Sequence, residues 1–262
     1  MEPQVFLIAE SVVDMGELKR AMNALGGKIA LDWVEKQKDR PRNGELLDEV
    51  SGRICYKSHG LGLNPNITKI REDSKLYFDN TLSKGDGSIL EHSSCSFAFV
   101  GVSRVFSHEL VRHRAGVAIS QESLRYVRPT DFNAWLPADT PLKIKEALKK
   151  EMDSEFASYK KISESIDWDS MTMLEKKKIT STLRRMLPDG IATNMIWSAN
   201  FRTLRHVIVM RTSEVAETEI RLVFDKVAQI VTRKFPLVFQ DFSQGPELPD
   251  GSHIWTSKYH KV

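Results

Sequence analysis

Residues 112–126 concentrate side chains that can bind an anion. The stretch holds three arginines, one histidine, two serines and one glutamine. A guanidinium presents a planar fork of donors that suits a phosphate or a carboxylate, and hydroxyl and amide groups add further hydrogen bonds. Because residues 115–119 carry no charge, the pattern predicts a buried backbone segment in a loop that wraps a polyanionic ligand. A solvated basic face is the alternative.

A second group of polar residues interrupts the apolar runs at 195–197 and 207–210. An arginine at the edge of a core needs an anionic partner, which is either a bound anion or an internal carboxylate such as Glu214, Glu217 or Glu219. Several such arginines together favour a bound anion. The group comprises Arg184, Asn200, Arg202, Arg205, His206 and Arg211.

The histidines and cysteines do not form a metal site at the sequence level. A helical zinc motif needs two histidines four residues apart, whereas His108 and His113 are five apart and point about 140° from each other on a helix. Cys55 and Cys95 lack the spacing of a metal-binding pair. We interpret both cysteines as small core residues, and we predict no metal.

The composition excludes several classes of protein. The 262 residues are 41% hydrophobic and 28% charged, which is ordinary for a soluble globular protein. A formal charge of +3, from 38 basic and 35 acidic residues, is too small for a nucleic-acid or membrane footprint. Neither a membrane-spanning run nor a signal peptide is apparent, so we expect a cytoplasmic protein with no nucleic-acid or membrane partner.

Hydrophobic spacing predicts helices and strands in the first part of the chain. Residues 5–8 have the length of a buried strand, and the apolar residues from Leu18 to Leu25 predict a helix that ends at Gly26-Gly27. Apolar residues between Leu46 and Ile54 predict a second helix, followed by a loop at 60–66. Alternation over 95–102 predicts a half-buried strand, after which Ser103 would cap a helix that runs toward Arg114.

Capping signals define the remaining helices. Thr140 is predicted to cap a long helix with Pro141 in its first turn, and Thr172 with Glu175 predicts a capping box. The apolar stripe over 220–235 predicts a mostly buried helix that Pro236 ends. These elements predict an α+β fold, with a central sheet flanked by long helices, in one domain that spans residues 1–262.

Several separated pieces of the chain resemble the flavin-dependent thymidylate synthases, over about residues 50 to 240. The most specific piece is the Arg-His-Arg run at 112–114 followed by Ser123-Leu124-Arg125-Tyr126. The other pieces are Ser88-Ile89-Leu90-Glu91-His92, Arg184 with Leu187-Pro188, Asn200-Phe201-Arg202, Arg211 and Phe235-Pro236. The resemblance implies an FAD enzyme that methylates dUMP to dTMP with methylene-tetrahydrofolate and NADPH, in a homotetramer whose sites lie between subunits.

The same resemblance implies roles for individual residues, with Arg211 at the catalytic position against the uracil ring. The positions that contact FAD are Ser88, Glu91, Arg112, His113, Arg114, Gln121, Asn200, Phe201, Arg202 and His206. The positions that hold dUMP are Glu109, Arg112, Gln121, Ser123, Leu124, Arg125, Arg184 and Arg211.

Four departures from the family pattern bear on the product. Eight residues separate Arg114 from Ser123 where the family usually has seven, and we expect the extra one within 115–119. Glu109 replaces the usual glutamine, and we expect it to be ionised and held by Arg112. Asp86 and Val215 each replace a usual histidine. A hydroxymethylated nucleotide, another uridine substrate, and a non-enzymatic nucleotide-binding protein therefore remain alternatives.

Overall fold

The central feature of the fold is a four-stranded antiparallel sheet. In the computed structural model, which describes residues 2–262, the strand order is β1-β2-β4-β3. Each neighbouring pair is antiparallel. The strands are β1 (Gln4–Glu10), β2 (Ser94–Ser103), β3 (Val117–Gln121) and β4 (Ala192–Asn200).

Eight α-helices and a C-terminal hairpin accompany the sheet. The helices are α1 (Met15–Lys36), α2 (Gly44–Tyr56), α3 (Ser74–Lys84), α4 (Arg104–Leu110), α5 (Leu142–Glu164), α6 (Met173–Leu183), α7 (Phe201–Arg211) and α8 (Thr218–Lys234). Short 3₁₀ helices span Gly87–Glu91 and Arg184–Met186, and the hairpin strands are β5 (Phe242–Glu247) and β6 (His253–Ser257). No helix among residues 2–262 is long and apolar enough to cross a membrane.

The two faces of the sheet differ in burial. One cross-strand row, formed by Leu7, Phe97, Trp197 and Ile119, faces the main core. The adjacent row, formed by Phe6, Ala98, Ile196 and Ser120, lies on the opposite face. There Phe6 is 48% and Ile196 45% exposed. The predicted strand at 5–8 is therefore confirmed, but its predicted complete burial is wrong because the core covers only one face.

Helix α8 supplies much of the core beneath the sheet. Its apolar stripe, which includes Val223, Phe224 and Val227, is fully buried, and the Phe224 ring meets that of Trp197 at 5.5 Å. Burial of each such side chain contributes about 1.5–3 kcal/mol. The predicted helix over 220–235 is thus confirmed, with Phe235 at its C-terminal cap.

Three predicted helix boundaries are wrong. Helix α1 does not end at Gly27 but bends there, with φ 55° and ψ −144°, and resumes to Lys36. Glycine permits this left-handed kink without the penalty that a Cβ would impose. Helix α4 ends at Leu110 rather than near Arg114, because the chain must reverse to pair β3 with β4.

The third boundary lies at α5, where Thr140 is not the cap. Pro141 occupies the cap position in an extended conformation, and its carbonyl accepts from the backbone N–H groups of Ile144 and Lys145. Proline lacks an N–H but keeps its carbonyl, so it can open the helix from this position. By contrast, the Thr172 to Glu175 capping box and the Ser103 cap of α4 are confirmed.

Arg205 is a structural residue rather than part of an anion site. Its guanidinium is 1% exposed and donates to both carboxylate oxygens of Asp241, at 2.7 and 3.0 Å, and to the carbonyl of Val238. None of the suggested partners Glu214, Glu217 and Glu219 is used. This ion pair anchors α7 to the segment that enters the hairpin.

Loss of that pair tests the anchoring role. Asp241→Ala should lower the free energy of unfolding by about 3–5 kcal/mol, because it leaves a buried guanidinium without its counter-charge. Urea denaturation measures this value. Asp153→Ala, which removes the exposed Lys149–Asp153 pair, should change it by at most about 0.5 kcal/mol. Similar losses in both variants would contradict the assignment.

Candidate active site

A cavity of about 680 Å³ lies at one end of the central sheet, where β2 and β3 begin and β4 ends. The antiparallel order brings three chain segments together there, since Ser94 of β2 and Val117 of β3 pair with the last residues of β4. Seven of the ten sequence-predicted flavin positions line this cavity. Its lining residues are Glu91, Arg112, His113, Arg114, Ala115, Gly116, Asn200, Arg202, Thr203 and His206.

Asn200 joins two of these segments. It caps α7 by accepting from the backbone N–H of Thr203 at 2.8 Å, and its own N–H donates to the carbonyl of Gly116 at 3.0 Å. The Thr203 hydroxyl donates to the carbonyl of Ala115 at 2.7 Å. The turn before β3 is therefore fixed against the N-terminus of α7, whose partial positive charge favours an anion.

Gly116 allows the close approach of these two segments. Its φ is +66°, and a Cβ there would lie 2.3 Å from the Asn200 side-chain nitrogen and 2.7 Å from the Thr203 hydroxyl. A side chain would thus meet both partners of the turn. The turn falls within 115–119, the stretch in which we expect the extra residue of this chain.

The prediction that residues 115–119 form buried backbone is wrong. Ala115, Gly116 and Ala118 are exposed, and β3 alternates between half-buried and exposed positions. Strand β3 is an edge strand of the sheet. Because the core covers only one face of the sheet, the side chains on the other face of β3 stay exposed. The absence of charge in this stretch reflects edge-strand packing and the turn at the cavity.

The cavity presents three arginines against one carboxylate. Arg202 donates to Glu91 at 2.5 Å, and both side chains are almost half exposed. An exposed pair of this kind contributes little stability, so Arg202 can exchange Glu91 for a ligand anion at small cost. Arg112 and Arg114 are also exposed, and neither forms an ion pair within residues 2–262.

Arg211 lies beside this cavity in a network with two predicted site residues. Its Nε donates to Nε2 of His113 at 2.7 Å, one terminal nitrogen donates to the Glu109 carboxylate at 2.8 Å, and the other donates to the Glu109 carbonyl at 2.9 Å. Glu109 is therefore held by Arg211, and the prediction that Arg112 holds it is wrong. Because α4 ends at Leu110, Arg112 does not follow Glu109 on the same helix.

The network leaves part of the Arg211 guanidinium free. A guanidinium has five N–H donors, and His113 and Glu109 accept three of them. One N–H on each terminal nitrogen remains, and these two can bind a planar acceptor. The arrangement thus holds Arg211 in place without using all of its donors.

His113 is a neutral acceptor in this network. Burial, together with the positive charge of Arg211 and the nearby His206, lowers the pKa of His113 to about 4. An uncharged imidazole can accept the Arg211 Nε–H, whereas an imidazolium cannot.

Three predicted flavin positions do not line the cavity. Ser88 is exposed on the 3₁₀ helix that precedes β2. The Phe201 ring is buried in the core, 4.6 Å from that of Phe235. Gln121 donates to the hydroxyl of Ser107 at 3.1 Å.

Four of the predicted dUMP positions lie toward the opposite end of the sheet. Leu124 lines a second cavity of about 450 Å³ with Arg104 and Arg128. Burial lowers the pKa of the Arg104 guanidinium, and the positive charge of nearby Arg184 acts in the same direction. Ser123 and Arg125 follow β3 there, but they line neither cavity. Sequence reasoning missed Arg104, whose one signal is its position directly after the Ser103 cap.

The state of His113 gives a pH-dependent prediction. The folded protein favours the neutral imidazole, so the stability that His113 contributes is complete above its ordinary pKa of 6.5 and is lost as the pH falls toward 4. An NMR titration should give a His113 pKa near 4 in the wild type and a higher value in Arg211→Ala. Arg202→Ala, the matched control, should leave it unchanged. A wild-type value near 6.5 would contradict the network.

Comparison with known proteins identifies the family. A family model described as thymidylate synthase complementing protein matches residues 39–237. The flavin-dependent thymidylate synthase of Mycobacterium marinum is 34% identical over 221 residues, which cover 82% of this chain and 85% of that protein. The proteins of the same name from Corynebacterium diphtheriae and Mycobacterium avium are 30% and 32% identical, with 87% and 82% of this chain covered and 90% and 85% of theirs. The chain belongs to the flavin-dependent thymidylate synthase family.

Proposed function

We propose that this protein converts dUMP to dTMP by reductive methylation, with FAD as its cofactor and with methylene-tetrahydrofolate and NADPH as co-substrates. The observation that carries the proposal is the cavity at the end of the sheet where β2 and β3 begin. It collects seven predicted flavin positions from three distant parts of the chain. A nucleotide-binding protein without activity would not require the additional Arg211 network beside it.

The side chains around the cavity fit a dinucleotide cofactor. Arg112, Arg114 and Arg202 can pair with a diphosphate, and the absence of a Cβ at Gly116 lets the turn that lines the cavity lie close against Asn200 and Thr203. Asn200, His113, His206 and Glu91 would complete this part of the flavin site, whereas Ser88, Gln121 and Phe201 do not line the cavity of their own chain. FAD, when bound, supplies the hydride transfer. The protein's part is to bind and orient it and to limit access of water.

Arg211 would act on the uracil ring of dUMP. Its two free N–H groups can bind a ring carbonyl edge, and its positive charge would stabilise negative charge that develops on the ring. That charge increases the nucleophilicity of carbon 5. Glu109 would orient Arg211 instead of donating to the nucleotide, since an ionised carboxylate has no hydrogen to donate. Arg112, Gln121, Ser123, Leu124, Arg125 and Arg184 would hold the rest of dUMP.

A homotetramer would complete the site. The dUMP positions Ser123, Leu124, Arg125 and Arg184 lie toward the end of the sheet opposite the flavin positions of the same chain, so a second subunit must bring them together. The open face of the sheet supports self-association, because Phe6, Ile8 and Ile196 are each 45–51% exposed on it. We treat residues 1–262 as one domain of this assembly.

Product analysis tests the proposed function. The protein incubated with FAD should purify yellow, and with dUMP, methylene-tetrahydrofolate and NADPH it should form dTMP. Mass spectrometry separates dTMP from a hydroxymethylated product, which carries one more oxygen. Absence of bound flavin from folded protein would refute the proposal. A dominant heavier nucleotide would assign the related hydroxymethylase activity, and a shift toward dTMP in Glu109→Gln would implicate Glu109.

The cysteines offer a second test, because a thiol nucleophile would indicate a different mechanism. Cys95 is buried as predicted, and burial raises the pKa of its thiol to about 12. Cys55 is exposed, so its predicted core role is wrong. The double variant Cys55→Ser, Cys95→Ser should keep most of its turnover and its flavin content. Complete loss of activity in folded, flavin-loaded protein would favour a cysteine mechanism.

Gly116 gives a third prediction. Gly116→Ala should weaken FAD binding by about 5- to 160-fold, because the new Cβ would displace Asn200 and Thr203 from the turn, a rearrangement that costs about 1–3 kcal/mol. Titration with FAD measures this loss. Gly251→Ala is the matched control, since Gly251 also has a positive φ but the nearest atom to its Cβ position, a carboxylate oxygen of Glu247, is 4.0 Å away. Equal affinities in the two variants would mean that the turn does not shape the flavin site.

A further inference from the structure

Helix α4 leads from the far end of the sheet toward the cavity. It starts directly after β2, and the chain that follows it reaches the Arg-His-Arg run at the cavity, at the other end of the strands. Seven residues are too few for a helix to be stable by itself. Its orientation therefore depends on what holds its two ends, in addition to the burial of Phe106 and Leu110 on its core side.

Glu219 holds the first end. Ser103 caps α4, with its hydroxyl accepting from the backbone N–H of Phe106 at 3.1 Å. The Ser103 backbone N–H donates to one carboxylate oxygen of Glu219 at 2.6 Å, and its hydroxyl donates to the other. Glu219 is in the first turn of α8 and is 2% exposed.

Arg211 holds the second end of α4. It binds both the side chain and the carbonyl of Glu109, one residue before α4 ends. Arg211 is the last residue of α7, and Glu219 follows it by only eight positions, at the start of α8. The end of α7 and the start of α8 thus hold the two ends of α4 through Arg211 and Glu219.

We propose that Glu219 is a positioning residue for Arg211. By binding the Ser103 cap it fixes the start of α4, and α4 then presents Glu109 to the Arg211 guanidinium in one orientation. The inference rests on the proposed function, in which Arg211 contacts the uracil ring. Glu219 itself does not contact the nucleotide or the cofactor.

The chemistry of Glu219 supports a role beyond stability. Within residues 2–262 its carboxylate has no cationic partner within 4.0 Å, and burial raises its pKa to about 7, with Glu217 acting in the same direction and the Ser103 hydrogen bonds opposing. A buried acid without a counter-charge is costly. Such a group is expected where its geometry serves a site.

Kinetics of Glu219→Gln test the proposal. Glutamine keeps one acceptor oxygen for the Ser103 backbone N–H, but its amide nitrogen cannot accept from the Ser103 hydroxyl, which must turn and accept instead. The cap is thereby rearranged, so α4 should shift. We expect kcat to fall about 10- to 100-fold with little change in the KM for dUMP, as for a misplaced catalytic group. Bound flavin should not change. Combined with Glu109→Gln, the losses should be less than additive, because both act through Arg211.

Glu45→Gln provides the matched control. Glu45 is also buried, and its carboxylate accepts from the backbone N–H groups of Leu237 and Val238 at 2.6 and 3.0 Å. Its loss should affect stability to a similar degree but should leave kcat near the wild-type value. A comparable fall in kcat in both variants, at equal flavin content, would overturn the positioning role.

Hydrogen exchange separates this inference from the proposed function. Mass spectrometry should show faster amide exchange over Arg104–Leu110 in Glu219→Gln than in wild type or Glu45→Gln, whether or not the protein makes dTMP. Faster exchange with unchanged kcat would refute the positioning role. Unchanged exchange would refute the inference that Glu219 fixes the start of α4. If Glu219→Gln does not fold, Ser103→Ala removes the hydroxyl that joins Glu219 to the cap of α4 while keeping the bond from the Ser103 backbone N–H to Glu219, and it is judged by the same outcomes.

Discussion

The antiparallel pairing of β4 with β2 and β3 is the constraint on which the site depends. Because each strand runs opposite to its neighbour, the start of β2, the start of β3 and the end of β4 meet at one end of the sheet. The residues flanking those three points, Glu91, Gly116 and Arg202 among them, then line one cavity. Trp197 is fully buried in the middle of β4, so packing against α8 fixes the register that aligns them.

Local signals predicted the elements better than the relations between them. The capping box at Thr172, the Ser103 cap and the stripe of α8 depend on neighbouring residues, and each is confirmed. The bend at Gly27 and the end of α4 depend on tertiary packing, which no short window contains. For the same reason the partner of Glu109 was wrong: Arg211 is 102 positions away in sequence, and only the fold brings it near.

The arginines that the sequence grouped together have separate physical roles. Arg205 is fully desolvated and needs Asp241, so it belongs to the fold. Arg202 shares an exposed pair with Glu91 that a ligand can replace. Arg211 lies between these extremes, half-buried and only partly satisfied. Residue type indicated anion chemistry for all three, whereas burial decides which of them remains available to a ligand.

The replacement of the usual glutamine by Glu109 changes how Arg211 is held. A glutamine would offer Arg211 a neutral acceptor and keep an amide to donate elsewhere, whereas the carboxylate adds charge attraction and has no donor. A hydrogen bond in which both the guanidinium and the acceptor are charged is stronger than one from the guanidinium to a neutral amide oxygen, so the orientation of Arg211 is more tightly defined. The negative charge of Glu109 also offsets part of the positive field of Arg211. His113 is neutral, so it orients Arg211 without weakening the attraction of Arg211 for an anion that develops on the ring.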